Sequence, residues 1–222
     1  MKKVELLAPA GSMESLYAAV QSGADAVYLG GDKFSARAYA SNFDNENIKK
    51  SVKYCHLYGV KVYVTINILL KDSEMKEALR YAEFLYNSRV DALIIQDIGF
   101  AYCIKKLIPD FEIHASTQMT VHNAEGAKFL NSIGFKRIVL SRELSLKEIE
   151  YISKDLHIET EIFIHGALCV CYSGQCLMSS LIGGRSGNRG RCAQPCRLPY
   201  TIIDEKNKLE KNGYLLSPKD IC

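Results

Sequence analysis

Short apolar, β-branched runs alternate with helix-length amphipathic segments along most of the chain, and this alternation constrains the fold more than any other feature. Strands are predicted at 4–8, 26–29, 61–66, 92–95, 112–115, 137–140 and 159–164. The intervening segments include helical patterns at 12–22, 45–58, 72–87, 123–133 and 145–155, the last opening with Ser145 and Glu148 at capping-box spacing. Strands separated by helices pair in parallel, so the sheet is either doubly wound or curled into a (β/α)8 barrel. Seven strands favour the barrel.

Side chains also alternate along the strands. Val62, Val64 and Ile66 oppose Tyr63, Thr65 and Asn67, while Ile158, Ile162 and Ile164 oppose Glu159, Glu161, Phe163 and His165. One face therefore meets helices, and the other lines a polar barrel interior. A complete barrel of this kind takes about 250 residues, and this chain has 222. After the seventh strand come a glycine- and arginine-rich stretch at 183–192 and a hairpin at 198–216, turning at Asn212-Gly213 or near 204–208. No eighth strand is visible, and the last residues, 217–222, read as a helix that begins and stops. The expectation is an α/β, TIM-barrel-like fold of about seven βα units, incomplete, in a truncated chain. The barrel occupies 1–168 and a cysteine-rich loop and hairpin occupy 169–222.

Eight cysteines need a chemical reason. No leader pattern precedes Leu6 and no apolar run approaches the roughly 18 residues that cross a bilayer, so the chain reads as cytoplasmic, where clustered thiols bind metal or do chemistry. Cys55 and Cys103 fall in apolar helical patterns and read as core thiols. Cys169, Cys176, Cys192 and Cys196 are spaced C-x6-C-x15-C-x3-C, with Cys171 and Cys222 as spare thiols that could replace one of them. Four thiolates suit one soft centre, either zinc or an iron-sulfur cluster.

A net charge of +3 is too small to mark a nucleic-acid binder. Local charge differs: positions 162–203 contain no Asp, Glu or Lys, yet Arg185, Arg189, Arg191 and Arg197 fall there. Arginines on a flexible, glycine-rich backbone suit phosphates and carboxylates, so RNA or a small anionic molecule is the natural partner. The competing reading pairs these arginines with acids of the barrel.

In a parallel barrel the working face is where strands end and helices begin. Asn67, Gln118, Arg142, Glu143 and His165 lie at such ends. His165 is placed for substrate contact. Glu161, flanked by isoleucines, points into the barrel and needs a partner, either in an ion pair with an arginine of a neighbouring strand or of the Gly/Arg loop, or in acid/base work on a substrate. Metalloprotease HExxH, nucleophile-elbow, Walker and Rossmann patterns are all absent.

Glu161, Phe163, Gly166, Ala167, Leu168, Cys169, Gly174, Cys176, Met178 and Ser179 stand at the spacing of a signature, and the sequence resembles peptidase family U32, the collagenase-like proteases. Segments 7–11, 23–28, 141–145 and 188–200 extend the resemblance over essentially the whole chain. The resemblance implies one of two activities. Some members are described as collagen-degrading peptidases. Others hydroxylate a pyrimidine of ribosomal RNA or the wobble uridine of tRNA, in prephenate-linked chemistry with a 4Fe-4S cluster. Related members act in pairs in ubiquinone hydroxylation, so a partner protein or a non-catalytic, cluster-carrying scaffold is a third reading. Carried onto this chain, the cluster ligands are Cys169, Cys176, Cys192 and Cys196. Arg37, Asn67 and Gln118 are assigned to the co-substrate, with Arg37 and Arg142 clamping its carboxylates. Members continue past 222 into a further strand.

Overall fold

Hydrogen bonding follows sequence order. The computed structural model describes residues 4–36, 43–202 and 211–218. Its main sheet runs through β1 (Leu7–Pro9), β2 (Ala26–Gly30), β3 (Lys61–Ile66), β4 (Ala92–Ile95), β5 (Glu112–Ala115), β6 (Arg137–Val139) and β7 (Glu159–Glu161), each parallel to the next. Helices α1 (Met13–Gln21), α2 (Asn45–Leu57), α3 (Asp72–Asn87), α4 (Ile98–Leu107), α5 (Ala124–Ser132) and α6 (Leu146–Glu150) make the crossovers. No helix among the described residues is long and apolar enough to cross a membrane.

Local chemistry starts the helices. Side chains of Ser12, Asp44, Asp97, Asn123 and Ser145 each accept a backbone N–H of the first turn, which the helix itself leaves unpaired. The Ser145 box forms as its spacing predicts, Ser145 N donating to Glu148 Oε2 at 2.7 Å. The helix continues past Glu150 as a π-helical turn, Tyr151–Asp155, so the predicted single segment has two geometries.

The sheet separates two packed regions. Val62, Val64 and Ile66 join the large core beneath the helices, whereas Tyr63 packs with Ala26, Ala92 and Ile94 on the inner face. The interior is therefore layered, apolar at that level and charged beside it, rather than polar throughout. Arg137, on β6, donates to Glu159 (Nε, 2.8 Å; Nη2, 2.6 Å) and reaches Glu5, ahead of β1, at 2.6 Å. Tyr63 Oη donates to the same Glu5 at 3.0 Å. A contact between positions on opposite sides of the sheet shows its curl: seven parallel strands form a half-barrel.

β7 ends three residues short of the predicted strand. Its partner β6 stops at Val139, the last ladder contact being Leu140 N to Glu161 O, so Ile162, Phe163 and Ile164 have no strand to pair with and are exposed. A short helix α7 (Met178–Gly183) and an antiparallel pair, β8 (Tyr200–Ile202) with β9 (Lys211–Gly213), follow. Asn212 and Gly213 lie inside β9 and not in the turn of the predicted hairpin.

Candidate active site and metal centre

The segment after β7 folds back over the C-terminal ends of the strands and encloses a cavity of about 470 Å³. Pro9 ends β1, Thr117 and Gln118 follow β5, Arg142 follows β6, and Phe163 and His165 follow β7; all line this cavity. The opposite wall is sulfur. Cys169, Cys171, Cys176, Cys192 and Cys196 all line it, and none is in a disulfide.

Two of these thiols are shifted, both chiefly by burial. Burial pushes the Cys196 thiol up, reinforced by the charges of Cys169, Cys192 and Cys176. Burial also pushes Cys171 up, followed by its contact with Cys176, with Cys169 a smaller influence. Cys196 thus feels all three other predicted ligands, whereas Cys171 feels two. Gln194 N donates to Cys192 Sγ at 3.3 Å. Among the described residues no three Cys, His, Asp or Glu side chains converge on a single ion. Four predicted ligand thiols on one cavity wall are a donor set that either soft centre accepts, an iron-sulfur cluster or zinc.

Cross-ties beside the cysteines shape this wall. Ala193 N, next to Cys192, donates to Ser179 Oγ, and Arg197, next to Cys196, donates to the carbonyl of Leu168, next to Cys169. Ser173, between Cys171 and Cys176, is fully buried against the ends of β5 and β6. Gly174 has φ +75°, and a Cβ there would stand 2.4 Å from the carbonyl oxygen of Gln118.

The strand-end residues have distinct surroundings. Arg142 donates through Nε to Ser173 Oγ at 3.1 Å while it lines the cavity. Glu143 does not line it; its Oε1 accepts from Ser173 N and its Oε2 faces His122 Nε2 at 3.2 Å. His165 is exposed at the cavity wall. Gln118 lines the cavity with its Oε1 buried and unpartnered. Asn67 is not at the cavity: its Oδ1 accepts from Ala36 N, holding the loop against which Gly190 packs. Arg37 and Cys222 lie outside the described residues.

Glu161 sits in the interior, 17% exposed, with Oε2 at 3.6 Å from Arg137 Nη1, too long for a hydrogen bond. Its partner is thus the arginine of the neighbouring strand. Burial pushes its carboxyl up to about 7, against the opposing pull of Arg137 and with help from Glu5 and Glu159. Burial also opposes ionisation of Glu5, but Arg137, Tyr63 and Lys61 together hold it below the usual range.

The arginine loop is largely tied down. Arg189 pairs with Glu74 at 2.6 Å and donates to the carbonyl of Leu69, and this partnership holds Glu74 down to about 2. Arg197 also donates to Ser217 and Pro218, and Arg185 donates to the carbonyl of Arg191, whose own side chain is exposed. His122 and Ser173, which meet Glu143, carry no signal of their own in the sequence. The one available signal was Gly174, whose place between two cysteines suggests a tight turn.

A half-barrel of parallel strands with five thiols over its C-terminal mouth defines an α/β barrel protein with a sulfur-lined site. The chain belongs to peptidase family U32, whose model matches residues 11–222. It is 47% identical to the 23S rRNA 5-hydroxycytidine C2501 synthase of Escherichia coli K12 over 98% of this chain and 33% of that protein. It is 39% identical to tRNA hydroxylation protein P1 of Bacillus subtilis 168 over 99% of this chain and 54% of that protein. The chain thus spans a third to about half of these relatives. The solved structure of the U32 peptidase Mk0906 shares the fold, with a TM-score of 0.62 over 74% of this chain and 70% of that one, at 15% identity.

Proposed function

We propose that this chain is the barrel portion of a cytoplasmic RNA hydroxylase that modifies a pyrimidine of rRNA or tRNA with a 4Fe-4S cluster and a prephenate-like co-substrate. The observation that carries this reading is the shared cavity: four predicted ligand thiols face a wall that holds Arg142, Gln118 and His165. Two relatives named for hydroxylation of rRNA and tRNA support the substrate class. Cys169, Cys176, Cys192 and Cys196 would hold the cluster, which would supply one-electron chemistry.

The protein's own residues bind and orient. Arg142 spends only its Nε on Ser173, so its remaining guanidinium edge is the group for a carboxylate or phosphate. Gln118 Oε1, buried without a partner, gains a hydrogen bond only when a donor such as a base amino group enters. His165 stands at the exposed wall, where a proton can move to or from substrate. On this reading Arg185 and Arg191 meet the RNA backbone, while Arg189 serves the fold. Mass spectrometry of rRNA and tRNA from a deletion strain tests the reading: one hydroxylated pyrimidine disappears, and unchanged RNA refutes it. Gelatin cleavage by purified protein, lost on a single substitution at the cavity, would instead support the peptidase reading that the family name carries.

A further inference from the structure

Four polar groups that no sequence pattern joins meet inside the cysteine loop. Ser173 N donates to Glu143 Oε1 at 3.0 Å, and Ser173 Oγ lies 3.2 Å from the same oxygen. Because a carboxylate only accepts, the hydroxyl donates to Glu143, and its lone pairs accept from Arg142 N at 3.3 Å and Arg142 Nε at 3.1 Å. His122 completes the unit. Its Nε2 faces Glu143 Oε2 at 3.2 Å, and its Nδ1 lies 3.2 Å from the carbonyl of Thr120 and 3.3 Å from Ser141 Oγ. Thr120 in turn donates to the carbonyl of Ser173 at 2.9 Å and accepts from Gln175 Nε2 at 2.8 Å.

Ser173 is therefore bound through its amide, its hydroxyl and its carbonyl, by residues from two loops of the barrel. A fully buried serine with every polar group satisfied is a fixed point, and a point two residues from Cys171 and three from Cys176 fixes the loop that carries them. The same hydroxyl holds Arg142 at the cavity wall.

We propose that Glu143 and Ser173 are positioning residues, not acid/base groups: together they set the cysteine loop and the Arg142 guanidinium in one geometry. The cluster claim within this inference rests on the function proposed above. Direct contact with reacting atoms is not their role, because Glu143 is turned away from the cavity toward His122 and Ser173.

The test uses full-length protein with Glu143→Ala, Glu143→Gln and Ser173→Ala. In the cluster-free protein, Glu143→Ala speeds hydrogen exchange at 170–176 while the strands keep wild-type protection. Anaerobic reconstitution then shows iron affinity reduced by about tenfold, the scale of losing a residue that orients a ligand. Glu143→Gln keeps an oxygen for Ser173 and restores most of both, which a catalytic carboxylate would not allow. Ser173→Ala also weakens binding of a small dicarboxylate through Arg142. Wild-type exchange at 170–176 in Glu143→Ala overturns the anchor. Faster exchange with unchanged iron affinity overturns its role toward the cluster. A wild-type protein that takes up neither iron nor sulfide sinks the cluster reading, and the exchange data still judge the anchor.

Discussion

Replacing Glu161 by Gln should raise stability at alkaline pH and do little at acid pH. The carboxyl is ordinary in the unfolded chain, near 4.5, and is pushed up to about 7 in the folded one by burial. The folded state therefore binds the proton more tightly, and stability falls as pH rises between those values. Near pH 5 the buried group is protonated and the native state keeps most of its advantage. At about pH 8 it is ionised in both states, and the interior holds a charge that Arg137, already engaged by Glu5 and Glu159, offsets only from 3.6 Å. With about 1.4 kcal/mol per pKa unit, wild type should lose about 2.5 kcal/mol relative to Glu161→Gln between those two pH values. Glutamine keeps the size and removes the charge, so the difference isolates this one titration. Urea denaturation of both proteins at both pH values measures it. A gap between the two proteins that stays constant with pH would refute the reasoning.

Three other perturbations probe the site and its supports. Gly174→Ala places a methyl 2.4 Å from the Gln118 carbonyl at a positive φ, so thermal melting should show a loss of about 1 to 3 kcal/mol and iron uptake should fall with it. Cys196→Ser should abolish the visible absorption of reconstituted protein, while Cys171→Ser should keep it, because Cys196 and not Cys171 belongs to the spaced set of four; the reverse pattern would exchange their roles. Glu74→Ala should cost about 1 kcal/mol by chemical denaturation, since its pair with Arg189 is partly exposed, and should free that arginine so that RNA binding strengthens or stays the same in a filter assay.

Much of the barrel was legible because its signals are local. The runs at 61–66, 92–95 and 112–115 are bounded by their own residues and match β3, β4 and β5. β7 was overrun because its end is set by β6, a neighbour the sequence does not display. The spacing of the four cysteines groups them in the sequence, and folding brings all four to one cavity. For Arg189 the competing reading, a pair with an acid of the barrel, is the one observed, but its partner Glu74 stands 115 residues away and no local pattern names it. His122 and Ser173 were invisible for the same reason: neither is unusual in its own segment, and only folding brings them to Glu143.

The charged layer at the base of the sheet has a consequence for its curl. Arg137, Glu5, Glu159 and Tyr63 tie β6, β7 and β3 to the segment ahead of β1. The curve of the half-barrel is thus held by charge as well as by packing. Acid that protonates Glu5 slackens this one tie, while the backbone ladders between neighbouring strands are indifferent to it.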